Sequence, residues 1–400
     1  MPIKRQIWAY SLPATLLLMA PFDILASLGM DIYLPVVPAM PRNLGTTSNV
    51  IQLSLSLYMV LLGLGQIVFG PLSDRIGRRP ILLTGALLFT GASFCLALSS
   101  TPLPFLLFRT LQAIGASAVL VATFATVRDV YGERPESTII YGMFTSMLAF
   151  VPALGPIAGA LIANMLGWRA IFLALGCIGI FAGLRAVFMW HETSPPQRSS
   201  KDRSILPVLG SLTFWTYTLG FSAAMGAFFV FFSTAPRVLI NNAKYSEIHF
   251  SLIFATVAVV MIITGYFVKH VVARWGIAGC LIRGMLTIIT GAIVLFISQL
   301  FFALSFASFV LPMWIIAAGI VLTGSVTANG ALADFADRAG SAVAYYFCIQ
   351  SLITGLVGTS VVVLFDGGTP LPLVVYCLLL PIIVLSALVL QRRAFLKNTM

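Results

Sequence analysis

The chain has 400 residues, of which 60% are hydrophobic and only 9% are charged. No soluble core needs so much apolar sequence, so the composition excludes a soluble globular protein and predicts a membrane protein. The formal net charge of +11 does not indicate a nucleic-acid-binding protein, because the basic residues are not clustered in one soluble domain with interleaved aromatic residues.

Apolar runs of roughly 20 residues recur along the chain, each long enough to cross a hydrocarbon layer ~30 Å thick as a helix. We predict twelve such segments, and therefore an all-α membrane protein with twelve transmembrane helices. The predicted centres lie near Asp23, Met59, Phe89, Ala116, Val151, Gly179, Met225, Val257, Val294, Ala318, Leu352 and Leu380.

The longest polar stretch, His191 to Ser204, follows the sixth segment and contains two prolines, four serines and mixed charges. Such a composition is typical of a linker. The sequence therefore predicts an N-terminal six-helix bundle (1–190), a cytoplasmic linker (191–209) and a C-terminal six-helix bundle (210–400). Two equal halves are typical of transporters built by duplication.

The basic residues predict the orientation. If the N-terminus is cytoplasmic, seventeen of the 23 lysines and arginines fall in cytoplasmic segments and four in outer connections, while Arg109 and Arg283 remain in or near helices. This asymmetry fits the positive-inside rule with both termini in the cytoplasm. The five cysteines lie singly and far apart, which argues against a disulfide frame or a metal cluster.

The first segment, from about Ser11 to Pro35, contains Asp23 and Asp31, the only carboxylates expected inside the membrane. A carboxylate in hydrocarbon is costly and is usually retained for substrate binding or proton transfer. Asp23 lies about 12 Å deeper than Asp31 and ~80° around the same helix, so both can face one cavity. We predict Asp31 as the main proton-coupling residue and Asp23 as the main substrate contact, with the reverse assignment left open.

The connection between the second and third segments reads GPLSDRIGRRP, from Gly70 to Pro80. A short loop with several arginines, one aspartate and two glycines allows a tight turn whose charges pair with neighbouring helix ends or lipid headgroups. At the matching place after the eighth segment the sequence reads ARWG, residues 273–276, which indicates a duplicated origin. For the Gly70–Pro80 loop, the alternative is an ordinary cytoplasmic loop whose arginines only follow the positive-inside rule.

The fourth segment contains RTLQAIG, from Arg109 to Gly115. A guanidinium inside a helix bundle cannot neutralise itself and must bond to a carboxylate or to carbonyl groups. Counted from the outer ends of their segments, Arg109 and Asp31 each lie roughly six residues in, at a depth of ~9 Å. We therefore predict that Arg109 pairs with Asp31 and takes part in proton coupling; a purely structural arginine is the alternative.

The fifth segment contains VPALGPIAGA, from Val151 to Ala160. Its Gly155-Pro156 pair removes a helix hydrogen bond and a side chain together, which favours a kink and the close approach of another helix. A kinked helix with only a packing role is the alternative.

These stretches together resemble the major facilitator superfamily. The Gly70–Pro80 loop is similar to its signature G-x-L-x-D-R-x-G-R-R, and the Arg109 stretch is similar to its R-x-x-Q-G pattern, with Ala113 at a position that is usually glycine. The fifth segment resembles its antiporter motif G-x-x-x-G-P-x-x-G-G, with Val151 and Ala160 at the flanking glycine positions.

The run MDIYLPVVP, from Met30 to Pro38, is similar to the Bcr/CflA-type drug:proton antiporters of this superfamily. The stretches Ala20–Ser27, Thr123–Asp129 and Phe228–Ser233 resemble the chloramphenicol/florfenicol exporters of that group. The resemblance implies two pseudo-symmetric six-helix bundles and the proton-coupled efflux of phenicol antibiotics by alternating access.

The resemblance also assigns residues to conformational motifs. In this family Asp74 and Arg78 would help to lock the cytoplasmic side between the two halves, with Arg128 and Asp129 as partners. The implied motif residues are Gly70, Asp74, Arg75, Gly77, Arg78, Arg128, Asp129, Gly155, Pro156 and Gly159.

Substrate-binding candidates are the polar residues above and several side chains in segments expected at the cavity, a mixture that suits a neutral aromatic amide. They are Asp23, Met30, Tyr33, Arg109, Met147, Tyr217, Phe228, Phe232 and Tyr346.

No G-x-x-x-x-G-K-[ST] loop occurs in the sequence, so we expect the proton gradient, and no cofactor, to supply the energy. No nucleophile–base or metal-ligand set appears within the segments, which argues against an enzyme. We expect a monomer in the bacterial inner membrane whose partners are a small-molecule drug, protons and membrane lipids, with no nucleic acid. The alternatives are an uptake symporter of a small metabolite and a non-transport membrane receptor or assembly factor.

Overall fold

The computed structural model describes residues 10–131, 136–193, 206–335 and 339–398, without the side chains of 136–139, 141–149, 339–341 and 391–398. All regular structure within these ranges is helical. By contacts, the chain divides into two compact units. Unit 1 comprises Met1–Val36 and Met40–Ser200, and unit 2 comprises Val37–Ala39 and Lys201–Met400.

Unit 1 contains the first six long helices, whose mostly apolar runs begin and end at polar residues, glycines or prolines. They are α1 (Leu12–Asp31), α2 (Ser48–Ile76), α3 (Arg78–Leu98), α4 (Pro102–Tyr131), α5 (Glu136–Leu166) and α6 (Trp168–Met189). A 3-10 helix, Leu34–Ala39, and a short helix, Met40–Leu44, follow α1 along the chain.

Unit 2 contains the other six. The helical stretch Glu247–Phe301 is interrupted at Gly276, which has a φ of 65° and divides it into α8 (residues 247–275) and α9 (residues 277–301). The remaining long helices are α7 (Leu212–Pro236), α10 (Leu311–Leu332), α11 (Ala339–Leu364) and α12 (Leu371–Asn398). Shorter helical pieces are Leu206–Leu209, Arg237–Asn242 and Phe306–Val310.

The twelve predicted helices are confirmed, since each predicted centre lies in a different helix among α1 to α12. Ten stretches of the described chain are long and apolar enough to span a membrane. One of these ten is Glu247–Phe301, which contains both α8 and α9, and α5 contributes the shorter apolar stretch Phe150–Leu166. The chain is therefore a multi-pass membrane protein.

Matching helix pairs pack through glycine in both units. A Cβ atom at Gly115 of α4 would lie 2.5 Å from the backbone nitrogen of Phe89 in α3. In unit 2, a Cβ atom at Gly319 of α10 would lie 2.8 Å from the carbonyl oxygen of Gly284 in α9. Helices in lipid associate through such close backbone contact, because no hydrophobic effect drives them together.

The glycines at the related helix junctions also correspond. Gly77 joins α2 to α3 with a φ of 113°, and Gly276 joins α8 to α9 with a φ of 65°. A side chain is strained at positive φ, so glycine is the residue that suits both junctions. This supports the duplication that the two R-x-G sequences indicate.

The domain limits at residues 190 and 210 stay a prediction. Within the predicted linker, residues 194–205 lie outside the described residues, and Leu206–Leu209 forms a short helix.

Candidate functional site

The regular part of α1 is shorter than the sequence indicated. The apolar segment continues to about Pro35, but the α-helix ends at Asp31 and a 3-10 helix begins at Leu34. Pro35 has no N–H to donate to the carbonyl of Asp31, so the α-helical hydrogen-bond pattern cannot continue through this position. The carbonyl groups of the last helical turn are consequently free to accept hydrogen bonds from other groups.

Arg109 of α4 lies against this helix end and is completely buried. Its Nη1 donates to the carbonyl oxygen of Gly29 at 2.7 Å and to Oε1 of Gln112 at 2.6 Å. Its guanidinium carbon lies 4.5 Å from the ring centre of Tyr58 and 5.2 Å from that of Tyr33. Carbonyl groups at a helix C-terminus carry partial negative charge and ring faces attract cations, so these contacts offset part of the cost of burying the guanidinium.

The predicted pairing of Arg109 with Asp31 is wrong in this structure: no ion pair between them occurs among the ion pairs of the described residues. Because α1 ends at Asp31, it presents the carbonyl of Gly29 to the arginine instead. The Nε and Nη2 atoms of Arg109 are buried and have no hydrogen-bond partner in the described part of the chain. They remain available as donors to a group that enters the site.

Neighbouring residues for which we predicted no role from the sequence hold this arrangement in place. Gln112 donates from Nε2 to Ser93 Oγ at 2.8 Å, which directs its Oε1 towards Arg109. At Gly29, a Cβ atom would lie 2.6 Å from the hydroxyl of Tyr58, and this hydroxyl donates to the carbonyl of Ala26 at 2.8 Å. A side chain at Gly29 would therefore displace Tyr58.

Asp23 lies two turns before the end of α1 and is 1% exposed. Neither of its carboxylate oxygens has a hydrogen-bond partner among the described residues. A buried polar group without a partner is costly, and an ionised carboxylate in hydrocarbon needs a cation, hydrogen-bond donors or a proton. Asp23 is thus a carboxyl group ready to accept either a proton or a donor from a ligand.

Asp31, which is also buried, lies where the glycines of α5 meet α1. A Cβ atom at Gly155 would lie 3.1 Å from Cβ of Asp31 and 3.2 Å from a methyl group of Leu28. A Cβ atom at Gly159 would overlap the carbonyl oxygen of Ile32. Pro156 is buried beside these two glycines. The antiporter-like motif therefore lies directly against the residues that end α1.

The loop between α2 and α3 is organised by Arg78, which is 2% exposed. Its guanidinium bonds to Asp129 at 2.9 Å, to Asp74 at 2.5 Å and to the hydroxyl of Ser73 at 2.6 Å. The expected partnership with Asp129 is confirmed, and all these groups belong to unit 1. Arg128 is mainly exposed and reaches Asp129 at 3.5 Å.

Two further residues of this motif have no such contact within the described part of the chain. Arg75 is exposed in the last turn of α2, and a Cβ atom at Gly70 would meet no atom within 4 Å. Among the described residues, the motif's ion pairs are therefore those of Arg78 with Asp74 and Asp129.

Sequence reasoning missed Glu192, which lies just after α6. Its carboxylate accepts hydrogen bonds from the backbone N–H groups of Arg78 at 2.8 Å and Arg79 at 3.1 Å. It therefore caps the N-terminus of α3, where partial positive charge favours a carboxylate. Its proximity to Gly77 leaves no space for a side chain there. The only signal in the sequence was an acidic residue directly after the sixth apolar run. Its partner Arg78 is 114 residues away, so no local pattern indicates the contact.

The predicted substrate-binding residues of unit 1 differ in exposure. Tyr33 is completely buried, with its ring centre 5.7 Å from that of Phe172 and 6.0 Å from that of Phe105. Met30 is half-buried at the end of α1. Met147 lies in α5, and its side chain is outside the described part of the structure.

The predicted substrate-binding residues of unit 2 have three different sets of neighbours. Phe228 and Phe232 of α7 both pack near Phe254 of α8, with ring centres 6.2 and 6.3 Å from it. Tyr217 is buried against Gly330 of α10. Tyr346 lies in α11. Its hydroxyl donates to Thr327 Oγ1 at 2.9 Å, and its ring stacks on that of Phe221 with 5.0 Å between the ring centres.

Comparisons with known proteins agree with this architecture. The sequence model of the Major Facilitator Superfamily matches residues 22–359. A protein of Pseudomonas aeruginosa named "Chloramphenicol resistance protein" is 49% identical over 388 residues, which cover 96% of this chain and 92% of the relative. The "Multidrug resistance protein MdtL" of Escherichia fergusonii is 26% identical over 316 residues, 78% of this chain and 79% of the relative.

Among solved structures, a bacterial homologue of the human lysosomal transporter Spinster, in an inward-facing and unoccupied conformation, has a similar fold. The TM-score is 0.77, with 15% sequence identity over 97% of this chain and 98% of the other.

Proposed function

Because the chain belongs to the major facilitator superfamily, we propose that it exports phenicol antibiotics, such as chloramphenicol and florfenicol, in exchange for protons. It is a transporter and not an enzyme. The name of its 49% identical relative supports a drug of the chloramphenicol class. The observation that carries the proposal is the pair of buried, unsatisfied groups, the Asp23 carboxyl and the Arg109 guanidinium, on neighbouring helices of unit 1.

These two groups suit a neutral amide that carries hydroxyl groups. The free N–H groups of Arg109 can donate to a carbonyl or nitro oxygen of the drug, and the Asp23 carboxyl can accept from a drug hydroxyl or amide N–H. Hydrogen bonds to ionic partners are the stronger ones inside a site of low dielectric constant. We keep Met30, Tyr33, Met147, Tyr217, Phe228, Phe232 and Tyr346 as the proposed apolar and aromatic contacts.

Asp31 is the proposed main proton-coupling residue, for a different reason from the one the sequence suggested. It does not need an ion pair with Arg109, because its surroundings are set by the packing of α5 on the end of α1. A change in this packing during alternating access changes the polarity around the carboxyl group, and thereby the conditions under which it binds a proton. Drug binding and protonation then favour different conformations, which is what antiport requires.

The cycle uses the proton gradient across the bacterial inner membrane and no bound cofactor. The excess of basic residues in alternate connections supports cytoplasmic termini. The transporter acts as a monomer, and Asp74, Arg78 and Asp129 stabilise one conformation on the cytoplasmic side.

Accumulation of labelled chloramphenicol in cells tests this proposal. Cells that express the chain should accumulate less drug than cells with an empty vector, and an uncoupler should remove the difference. Asp23→Asn at the same expression level should accumulate drug like the empty vector. Greater accumulation with the chain would indicate uptake, and equal accumulation would indicate a non-transport function; either result would reject export.

A further inference from the structure

Arg283 lies on an exposed surface of unit 2 and has no role in the proposed transport cycle. It is six residues beyond the first residue of α9, or about 9 Å along the helix axis. Its side chain is exposed and lies back over its own helix, where Nη1 donates to the carbonyl of Gly279 at 3.3 Å. Its guanidinium carbon lies 4.5 Å from the ring centre of Trp275.

Gly279 allows this conformation. A Cβ atom there would lie 3.3 Å from Nη1 of Arg283 and 3.2 Å from Cβ of Trp275. The guanidinium thus lies between an indole ring and a stretch of backbone without a side chain.

Beside Arg283, α9 and α10 form a groove of about 320 Å³, which we call the α9–α10 groove. Its walls include Leu286 of α9 and Ile315 and Leu322 of α10. Two threonines, Thr287 and Thr290, also line it, but their hydroxyls donate to backbone carbonyls of their own helix. The groove is therefore an apolar channel with a single cation at one end.

No ion pair of Arg283 occurs among the described residues, whereas Arg237 in the same unit pairs with Asp366 at 3.1 Å. The helix surface around Arg283 is apolar and exposed, with Ile282 at 38% and Leu286 at 49%. Such a surface faces lipid in a multi-pass membrane protein. A cation at this position needs an anion from its surroundings, and an anionic lipid headgroup supplies one.

We propose that the α9–α10 groove binds one anionic phospholipid, with its phosphate on Arg283 and an acyl chain along Leu286, Ile315 and Leu322. The planar guanidinium presents parallel donors that match a phosphate group. Trp275 lies at the same end of the groove, and tryptophan is enriched at the level of lipid headgroups. This site shares no residue with the polar groups of α1 and α4 that the transport proposal uses.

Native mass spectrometry of the purified transporter tests the site directly. The protein is incubated with phosphatidylglycerol or with phosphatidylethanolamine of the same acyl chains, and bound lipid is counted by mass. Wild type should retain one phosphatidylglycerol in preference to phosphatidylethanolamine. Arg283→Gln should weaken this retention about five-fold, the effect of one basic residue at an anionic surface. Leu322→Trp, which fills the groove but keeps the charge, should weaken it as well.

Arg169→Gln is the matched control. Arg169 also stacks on a neighbouring tryptophan, Trp168, at 4.4 Å, but lies one residue into α6, at the helix end. It should retain phosphatidylglycerol like wild type. Equal retention by Arg283→Gln and wild type, an equal loss in Arg169→Gln, or equal binding of the two lipids would each overturn the proposal.

Discussion

The two units differ in the polar groups that they bury. In unit 1 the described helices bury four charged residues, Asp23, Asp31, Arg78 and Arg109, none more than 7% exposed. In unit 2, the buried polar side chains of the described residues are hydroxyls and amides, such as Thr327 and Gln350, and none of them is charged. The two units nevertheless share the helix order and the glycine-mediated helix pairs of a duplicated fold.

This difference separates two tasks. Only ionisable groups can carry a proton, so we expect proton coupling to depend on unit 1. Neutral hydroxyls and aromatic rings can contact an uncharged drug without changing their own charge, so we expect unit 2 to affect drug affinity and not coupling. We therefore expect the largest effects on export from substitutions in unit 1 and the smallest from a substitution in unit 2.

The largest effect is expected from Arg109→Ala. It removes the buried cation together with its bonds to Gly29 and Gln112, so export should fall to the level of the empty vector. Arg109→Lys should recover little, because an ammonium group cannot reproduce the planar set of donors. Chloramphenicol susceptibility measures the effect, with membrane expression as the control. Full resistance in Arg109→Ala would mean that the buried charge of unit 1 is not needed.

A large effect is also expected from Gly159→Ala. The added methyl group would overlap the carbonyl of Ile32 and push α5 away from the end of α1. Overpacking of this kind costs about 1–3 kcal/mol, so the transport rate should drop sharply. Gly91→Ala in α3 is the matched control, since its added Cβ would meet nothing within 4 Å. Equal drug efflux from vesicles with the two variants would show that this helix contact has no role in transport.

Glu192→Ala should have a moderate effect on stability. It removes the acceptor for the N–H groups of Arg78 and Arg79, and the loss of an N-terminal cap costs about 1 kcal/mol. A thermal-unfolding assay in detergent should show a lower midpoint for Glu192→Ala and a smaller shift for Glu192→Gln, which keeps an acceptor oxygen. If both variants unfold like wild type, the cap does not stabilise unit 1.

The smallest effect is expected in unit 2, from Tyr346→Phe. The variant loses one hydrogen bond between neutral groups, to Thr327, which is worth about 1 kcal/mol. Drug affinity should fall by no more than a few-fold, and the number of protons released on binding should not change. Calorimetry in buffers of different ionisation enthalpy measures both quantities. A loss of proton release in this variant would break the proposed separation between the units.

The sequence predicted the helices well because long apolar runs have few alternatives in a membrane. It also predicted the bond between Arg78 and Asp129, because the resemblance to the family implies Asp129 as a partner of this loop. It failed where a contact depends on how a helix ends. Pro35 was visible, but the end of α1 at Asp31, which leaves the carbonyl of Gly29 to accept from Arg109, became clear only with the three-dimensional arrangement.

Other contacts leave no local trace in the sequence. Glu192 and Arg78 are 114 residues apart, and no spacing rule connects them. The position of the Arg283 guanidinium likewise depends on Trp275, the last residue of α8, and on Gly279 in the first turn of α9, and both are ordinary residues near the end of a membrane helix.

The most direct test of the account is the proton count on drug binding. Purified transporter is mixed with chloramphenicol at fixed pH, and released protons are measured with a pH indicator in weak buffer. Asp31→Asn should bind the drug with nearly wild-type affinity but lose the proton release, whereas Asp23→Asn should bind it more weakly and keep the proton release. The opposite pattern would exchange the two roles, and proton release that survives in the double variant would contradict the assignment of coupling to α1.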